Sequence, residues 1–157
     1  MVEARPMQED HQKWMTLALE EAQKAREKGE VPIGAVGIME GNLIARAHNL
    51  REAPHNPLGH AEIYVIEQAS QHLKRWRLHD MTLYVTVEPC PMCMGALLQA
   101  RIPTLVFGCR DPKAGASGSL YDLGRDPRLN HQIEVIEGVL TGPCSQIIKD
   151  FFQGRRR

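Results

Sequence analysis

Cysteine is scarce in this sequence, with 4 in 157 residues. That is too few for a disulfide-stapled secreted scaffold, so each cysteine has a claim to a particular job. Long apolar runs are missing as well, and nothing approaches the roughly 20 residues that would span a bilayer. The opening "MVEARPMQED" carries acids where an export signal needs an apolar stretch. The expected compartment is the cytoplasm, where thiols are kept reduced and a close Cys pair is more often metal-binding or catalytic than a crosslink. Net charge is absent too, with 19 Lys and Arg against 19 Asp and Glu. That balance neither calls for a nucleic-acid partner nor excludes one. A composition 43% hydrophobic and 24% charged belongs to a folded globular chain rather than a disordered one.

The charge that is present is grouped. Basic residues gather at Lys74, Arg75 and Arg77, around Arg101, Arg110 and Lys113, and in the terminal Arg155, Arg156 and Arg157. Such runs either hold phosphates or are simply solvated faces and a frayed tail.

Periodicity predicts a helix over 11–29, with Gly29 at its C-cap. A hairpin over 33–48 with a Gly41-Asn42 turn comes next, then a proline-broken loop over 49–59. A helix over 60–73 precedes a buried strand over 81–87 that Pro89 ends. The remaining elements are a short helix over 91–101, a strand over 104–108, a glycine-rich loop over 109–119, a strand over 133–138 and a closing helix over 145–153. Strands alternating with helices behind a leading hairpin predict an α/β layered fold with a mixed sheet. No repeat, low-complexity tract or linker interrupts residues 1–157, which read as a single domain.

The chemistry concentrates at two predicted helix starts. "PCPMC" puts Cys90 and Cys93 three apart in a first turn, where amide groups and the helix dipole stabilise thiolates. That alone suits a redox pair as well as a metal site. Thirty positions before Cys90, "HAE" supplies His60, a third ligand. Structural zinc sites usually close with four protein ligands, whereas catalytic ones use three and leave a place for water. Glu62, two residues past His60, stays in the same pocket without ligating and is suited to take a proton from that water. His-x-Glu followed by Pro-Cys-x-x-Cys is the established signature of the zinc nucleobase deaminases, a class whose standard examples include tRNA adenosine deaminases. Both halves are present here, in that order.

Competing readings exist for each part. A thioredoxin-like pair leaves His60 and Glu62 without a role. A structural zinc clip needs Cys109 or Cys144 as a fourth ligand, and both read more simply as core residues. His11, His72, His79 and His131 lack ligand spacing and read as surface or packing residues. His48 and His55 flank the loop before His60 and are candidates to line a pocket.

The sequence closely resembles the bacterial tRNA-specific adenosine deaminase family from about Trp14 to Arg156. The stretches that carry this are "GEVPIGAV", "HN" at His48-Asn49, "HAEI", "TLYVTVEPCPMCMGAL", "ARI", "VFG", "RDPKAGASGSL", "LNHQIEVIEGVL" and "DFFQGRR". The two zinc half-motifs match the wider cytidine-deaminase-like superfamily, and the loop and tail stretches narrow it to the tRNA branch. The resemblance implies conversion of the wobble adenosine in an arginine tRNA anticodon loop to inosine. It implies one zinc per subunit on His60, Cys90 and Cys93, with Glu62 as proton shuttle. Asn49 is expected to bond the flipped base, Val31 and Pro32 to wall the pocket, and the Ala61 amide to face the base. Asp111 is expected to contact the nucleotide backbone, Lys113 to reach a phosphate, and Phe152 to lie on a helix packed over the anticodon loop. The implied fold is a three-layer α/β/α cytidine-deaminase-like domain with a mixed five-stranded sheet, and the implied assembly is a homodimer that binds no membrane. Two departures stand out: Leu58-Gly59 where Thr-Ala is common, and Cys109 where alanine is common. A small-molecule deaminase acting on guanine or a cytosine compound would share the zinc residues without needing the loop or tail. A non-catalytic RNA-binding module would have no use for Glu62.

Overall fold

The computed structural model describes residues 8–155. The first seven residues, part of the opening read against export, and Arg156 and Arg157 of the basic tail lie outside the described residues.

Helix α1 (Gln8–Glu27) turns Met15, Ala18, Ala22 and Ala25 to one face, all fully buried. It ends as its sequence predicts. Gly29 adopts φ +74, its N–H donates to Arg26 O at 3.0 Å, and Glu30 N–H reaches Ala25 O at 2.9 Å. That pair of bonds is a Schellman cap, which only a residue at ease in the left-handed region closes without strain.

Strands β1 (Gly34–Met39) and β2 (Asn42–His48) form the leading hairpin. Met39 pairs with Asn42, so the turn is Glu40-Gly41, one residue earlier than predicted. Both turn residues have positive φ, 50° and 74°, the twist that a two-residue hairpin demands. Asn42 is the first paired residue, and its Nδ2 donates to Glu40 O at 3.2 Å.

Helix α2 (Ala61–Leu73), strand β3 (Thr82–Val87), helix α3 (Pro91–Gln99), strand β4 (Thr104–Cys109) and strand β5 (Glu134–Glu137) follow. Helix α4 (Thr141–Arg155) closes the described chain. It starts four residues before the predicted closing helix, and Cys144 lies inside its first turn rather than before it. The strand order is β2-β1-β3-β4-β5, with β1 antiparallel to both β2 and β3, and β3, β4 and β5 parallel. This is the expected mixed five-stranded sheet.

Strand alternation assigns the two faces. Leu83 and Val85 of β3, with Leu105 and Phe107 of β4, pack with Val65, Ala69, Met94 and Leu97 from α2 and α3. Tyr84 and Val106 point the other way, into a second core with Trp14, Met15 and Cys144 from α1 and α4. Helices thus cover both faces, the arrangement that buries parallel strands on both sides. Close approach of α1 depends on one residue without a side chain: a Cβ at Gly34 would collide with the backbone of Ala18 and Ala22.

Candidate active site

Two connections, one from edge strand β2 and one from central strand β3, build the site. The chain leaves β2, loops through 49–59 and enters α2, with His60 as the extended residue at its N-cap. It then leaves β3 through Glu88 and Pro89 and enters α3, with Cys90 extended at the N-cap and Pro91 in the first turn. Proline is at home there, since its missing N–H is one of the amides a helix start leaves unpaired. Two helix N-termini therefore converge at the carboxyl end of β3, a usual place for a site on an open α/β sheet.

His60 Nδ1 lies 3.5 Å from Cys90 Sγ and 3.4 Å from Cys93 Sγ. All three ligand atoms fall within 4.8 Å of one another, and no other His, Cys, Asp or Glu of the described residues joins them. Zinc bonds of about 2.3 Å to sulfur and 2.0–2.1 Å to nitrogen, at a tetrahedral angle, put nitrogen and sulfur about 3.6 Å apart. The residues fit a three-ligand zinc site on distance and on donor chemistry alike. Cys109 and Cys144, the candidates for a fourth ligand, lie in the core on the opposite face of the sheet.

The cluster already favours negative charge. A hydrogen bond from Cys93, helped by one with His60, brings the Cys90 thiol down to about 4 despite its partial burial. The Cys93 thiol moves up, held by its bond to Cys90 and by burial. His60 is raised by its bond to Cys90. Two helix starts and a neighbouring imidazole thus stabilise a thiolate at Cys90, the form in which cysteine binds a metal.

Glu62 is 3% exposed in the first turn of α2. Burial pushes its carboxyl up to about 7, and neighbouring His60 opposes the shift. Its Oε1 is buried without a hydrogen-bond partner among the described residues. A carboxyl poised near neutrality, with one oxygen free, suits proton transfer.

Asn49 is also buried, and its Oδ1 accepts the Ala61 N–H at 2.9 Å. That bond caps α2, which His60 does not do with its own side chain. The Ala61 amide, expected to face a base, is thus turned to Asn49 in this structure. The Asn49 N–H in turn donates to Ile33 O at 3.0 Å, which ties the loop to the segment carrying Val31 and buried Pro32. Asp111 and Lys113 sit on the 110–119 loop, where Asp111 Oδ1 accepts the amides of Lys113 and Ala114 at 3.1 and 3.2 Å. Phe152 is 45% exposed on α4, edge-on to Phe151 at 5.3 Å. Of the two loop histidines, His48 bonds Glu21 and Lys28 on the α1 side, and His55 is exposed.

Leu58 is 55% exposed, while Gly59 is buried against Leu50 and Tyr64 with no room for a side chain. A Cβ at Gly59 would meet the Leu50 carbonyl, so alanine does not fit this turn as it stands. The Tyr64 hydroxyl donates to Leu50 O at 2.6 Å across it.

Sequence reasoning passed over Glu88. Its carboxylate accepts the amides of Asp111, Ser117 and Ser119 at 3.0, 2.9 and 3.0 Å, and the Ser119 hydroxyl as well. Burial alone would raise it, but those bonds hold it below the ordinary carboxylate range. The available signal was an acid ending an otherwise apolar strand directly before "PC".

The fold and the cluster together define a deaminase with a candidate metal site, and the profile of the MafB19-like deaminases matches residues 9–156. Within that class, the chain belongs to the tRNA-specific adenosine deaminase family. A protein of that description from Bacillus subtilis (strain 168) is 51% identical over 144 residues, 92% of this chain and 89% of that protein. One from Haemophilus influenzae is 44% identical over 154 residues, covering 98% of this chain and 89% of that protein. A structure solved in work on A-to-I editing by tRNA:A34 deaminases at the wobble position superposes with a TM-score of 0.83 at 41% identity, covering 86% of this chain and 98% of its own.

Proposed function

We propose that this protein hydrolyses adenosine to inosine at the wobble position of a tRNA anticodon loop, with one zinc ion per subunit. The observation that carries the reading is Glu62: a buried carboxyl, one oxygen unpartnered, beside a three-ligand cluster. The relatives named for tRNA adenosine deamination supply the substrate class.

A zinc ion held by His60, Cys90 and Cys93 would supply a water of lowered pKa and stabilise the charge that develops in the reaction. The rest is work for this chain. Glu62 accepts the water's proton and passes it to the ring nitrogen next to the carbon that bears the amino group. Oxygen adds at that carbon, Glu62 takes the remaining proton from the new hydroxyl and gives it to the departing nitrogen, and ammonia leaves as the C–N bond breaks and the C=O forms. Adenosine and water are consumed, and inosine and ammonia are formed.

Asn49, held in place by the Ala61 amide, presents its side chain to the base, with Val31 and Pro32 as the wall. Asp111 and Lys113 meet the flanking backbone, and Phe152 lies on the helix that packs over the anticodon loop. A base inside a helix cannot reach such a pocket, which favours a splayed anticodon loop as substrate. We assign the reaction to the cytoplasm, to a single domain over residues 1–157 and to a homodimer. No helix among the described residues is long and apolar enough to cross a membrane.

The test is to incubate the purified protein with an arginine tRNA anticodon stem-loop and sequence the RNA before and after. The expected result is an A-to-G reading at the wobble position alone. Ammonia release from free guanine or cytosine, with the stem-loop untouched, would move the protein to the small-molecule deaminases.

A further inference from the structure

We infer that the Glu88 carboxylate is a positioning residue that sets the 110–119 loop against the cysteine strap and thereby governs substrate affinity. The inference rests on the deamination reading for its kinetic arm only.

Glu88 is 3% exposed, directly before Pro89-Cys90, and both its oxygens are spent on the loop. Oε1 takes the Asp111 amide and the Ser119 hydroxyl, and Oε2 takes the amides of Ser117 and Ser119. Three backbone donors from one loop converging on a single carboxylate make a cradle, and such charge-assisted bonds are about twice as strong as neutral ones. The main chain repeats the tie, with Glu88 N–H to Cys109 O and Ala116 N–H to Pro89 O, each at 2.8 Å. Gly115 is buried against the carboxylate so closely that a Cβ there would overlap it. The acid and the glycine are thus matched in shape as well as in charge. The same loop carries Asp111 and Lys113. Glu88 has one neighbour on each side of the chemistry: the strap that holds Cys90, and the loop that meets the flanking nucleotides.

Glu88→Gln keeps the size but replaces one acceptor with a donor pair, which confronts N–H with N–H. Hydrogen exchange, zinc content and steady-state kinetics on the stem-loop decide the matter together. The expected result is faster exchange at Asp111, Ser117 and Ser119, while the Met94 amide in the first turn of α3 keeps its protection and zinc stays stoichiometric. KM should rise about tenfold, which is 1.4 kcal/mol of lost binding, with kcat changed by less than about threefold. Ser119→Ala, which deletes only the hydroxyl donor, should shift KM the same way by less and covers the case that Glu88→Gln folds poorly.

Gly115→Ala should reproduce the KM effect, because its methyl displaces the carboxylate. Once Glu88→Ala has cleared that space, adding Gly115→Ala should cost nothing more. Zinc loss, or faster exchange at Met94, would instead assign Glu88 to the cysteine strap. Unchanged loop exchange and KM, or additive effects of Glu88→Ala and Gly115→Ala, would also overturn the proposal. If the wild-type protein leaves the stem-loop untouched, the functional reading fails, and loop exchange still decides the role of Glu88.

Discussion

Glu21 and Glu62 are each 3% exposed, yet their surroundings drive them in opposite directions. Burial pushes Glu62 up to about 7, and its Oε1 is left unpartnered. Burial alone would raise Glu21 too. There, hydrogen bonds from Lys24, His48 and Arg46 at 2.6, 3.1 and 2.7 Å more than offset it and bring the carboxyl down to about 2. The two acids lie on different helices, α1 and α2, within one small domain. What separates them is what the fold supplies beside each: three cationic or proton-donating side chains for Glu21, and for Glu62 burial that its neighbour His60 only partly offsets. Burial makes a carboxylate expensive, and partners decide whether it becomes a structural tie or a proton carrier. Glu88 is a third case, satisfied by loop amides instead of cations.

The comparison breaks most completely where the cluster is removed. Cys90→Ala, or chelation of the wild-type protein, should lower deamination about 10³-fold or more, because the water is no longer activated. Glu62→Gln should cost about 10²–10⁴-fold while zinc stays bound, the outcome expected of the proposed proton carrier that does not ligate. Metal analysis alongside activity separates the two cases, and loss of zinc from Glu62→Gln would make Glu62 a ligand. The residues act as a unit, so Glu62→Gln on the chelated protein should cost almost nothing further.

Next in size is the structural acid. Glu21→Gln should destabilise the fold by about 2 kcal/mol, a value kept modest because the Lys24 end of the network is exposed. Its pH dependence has a definite sign. In the unfolded chain Glu21 gains its proton near 4.5, and in the folded chain only near 2. Its contribution is therefore complete above about pH 4.5 and is lost as pH falls toward 2. Urea melts between pH 3 and 6 should show the wild-type and Glu21→Gln curves converging as acid is added. Parallel curves would mean that the network contributes no charge-dependent stability.

These contrasts also mark what the residues alone disclosed. The clustering of His60, Cys90 and Cys93 was legible because metal chemistry restricts both residue type and spacing, and helix starts fix where such residues stand. The strand and helix order was legible from apolar periodicity. The hairpin turn was misplaced by one residue, because Gly41-Asn42 looks the better turn pair while strand register puts Glu40 in the turn. The α4 start was missed because Thr141 to Cys144 includes a glycine and a proline, residues that read as loop. Glu21 and Glu88 were passed over for a different reason. Apart from Lys24, three residues from Glu21, their partners lie 25 and 27 positions away at Arg46 and His48 for Glu21, and 23 to 31 away at Asp111, Ser117 and Ser119 for Glu88. Nothing in local spacing reports contacts that only the sheet brings together.

The smallest predicted effect concerns an acid with the opposite balance from Glu21. Glu40 is exposed at the hairpin turn and holds φ 50, a conformation that costs most side chains energy and suits asparagine or glycine. Its carboxylate makes no hydrogen bond with the described residues, and only its backbone oxygen is used, by Asn42. Glu40→Asn should therefore stabilise the fold by about 0.5–1 kcal/mol, since asparagine tolerates the left-handed region at lower cost. The gain should appear as a melting temperature higher by about 1–4 °C, with deamination unchanged. A loss of stability would mean that the Glu40 side chain contributes more than its backbone conformation costs. Removing a carboxylate would then abolish activity at Glu62, weaken the fold at Glu21 and strengthen it at Glu40, with burial and partners setting the sign in each case.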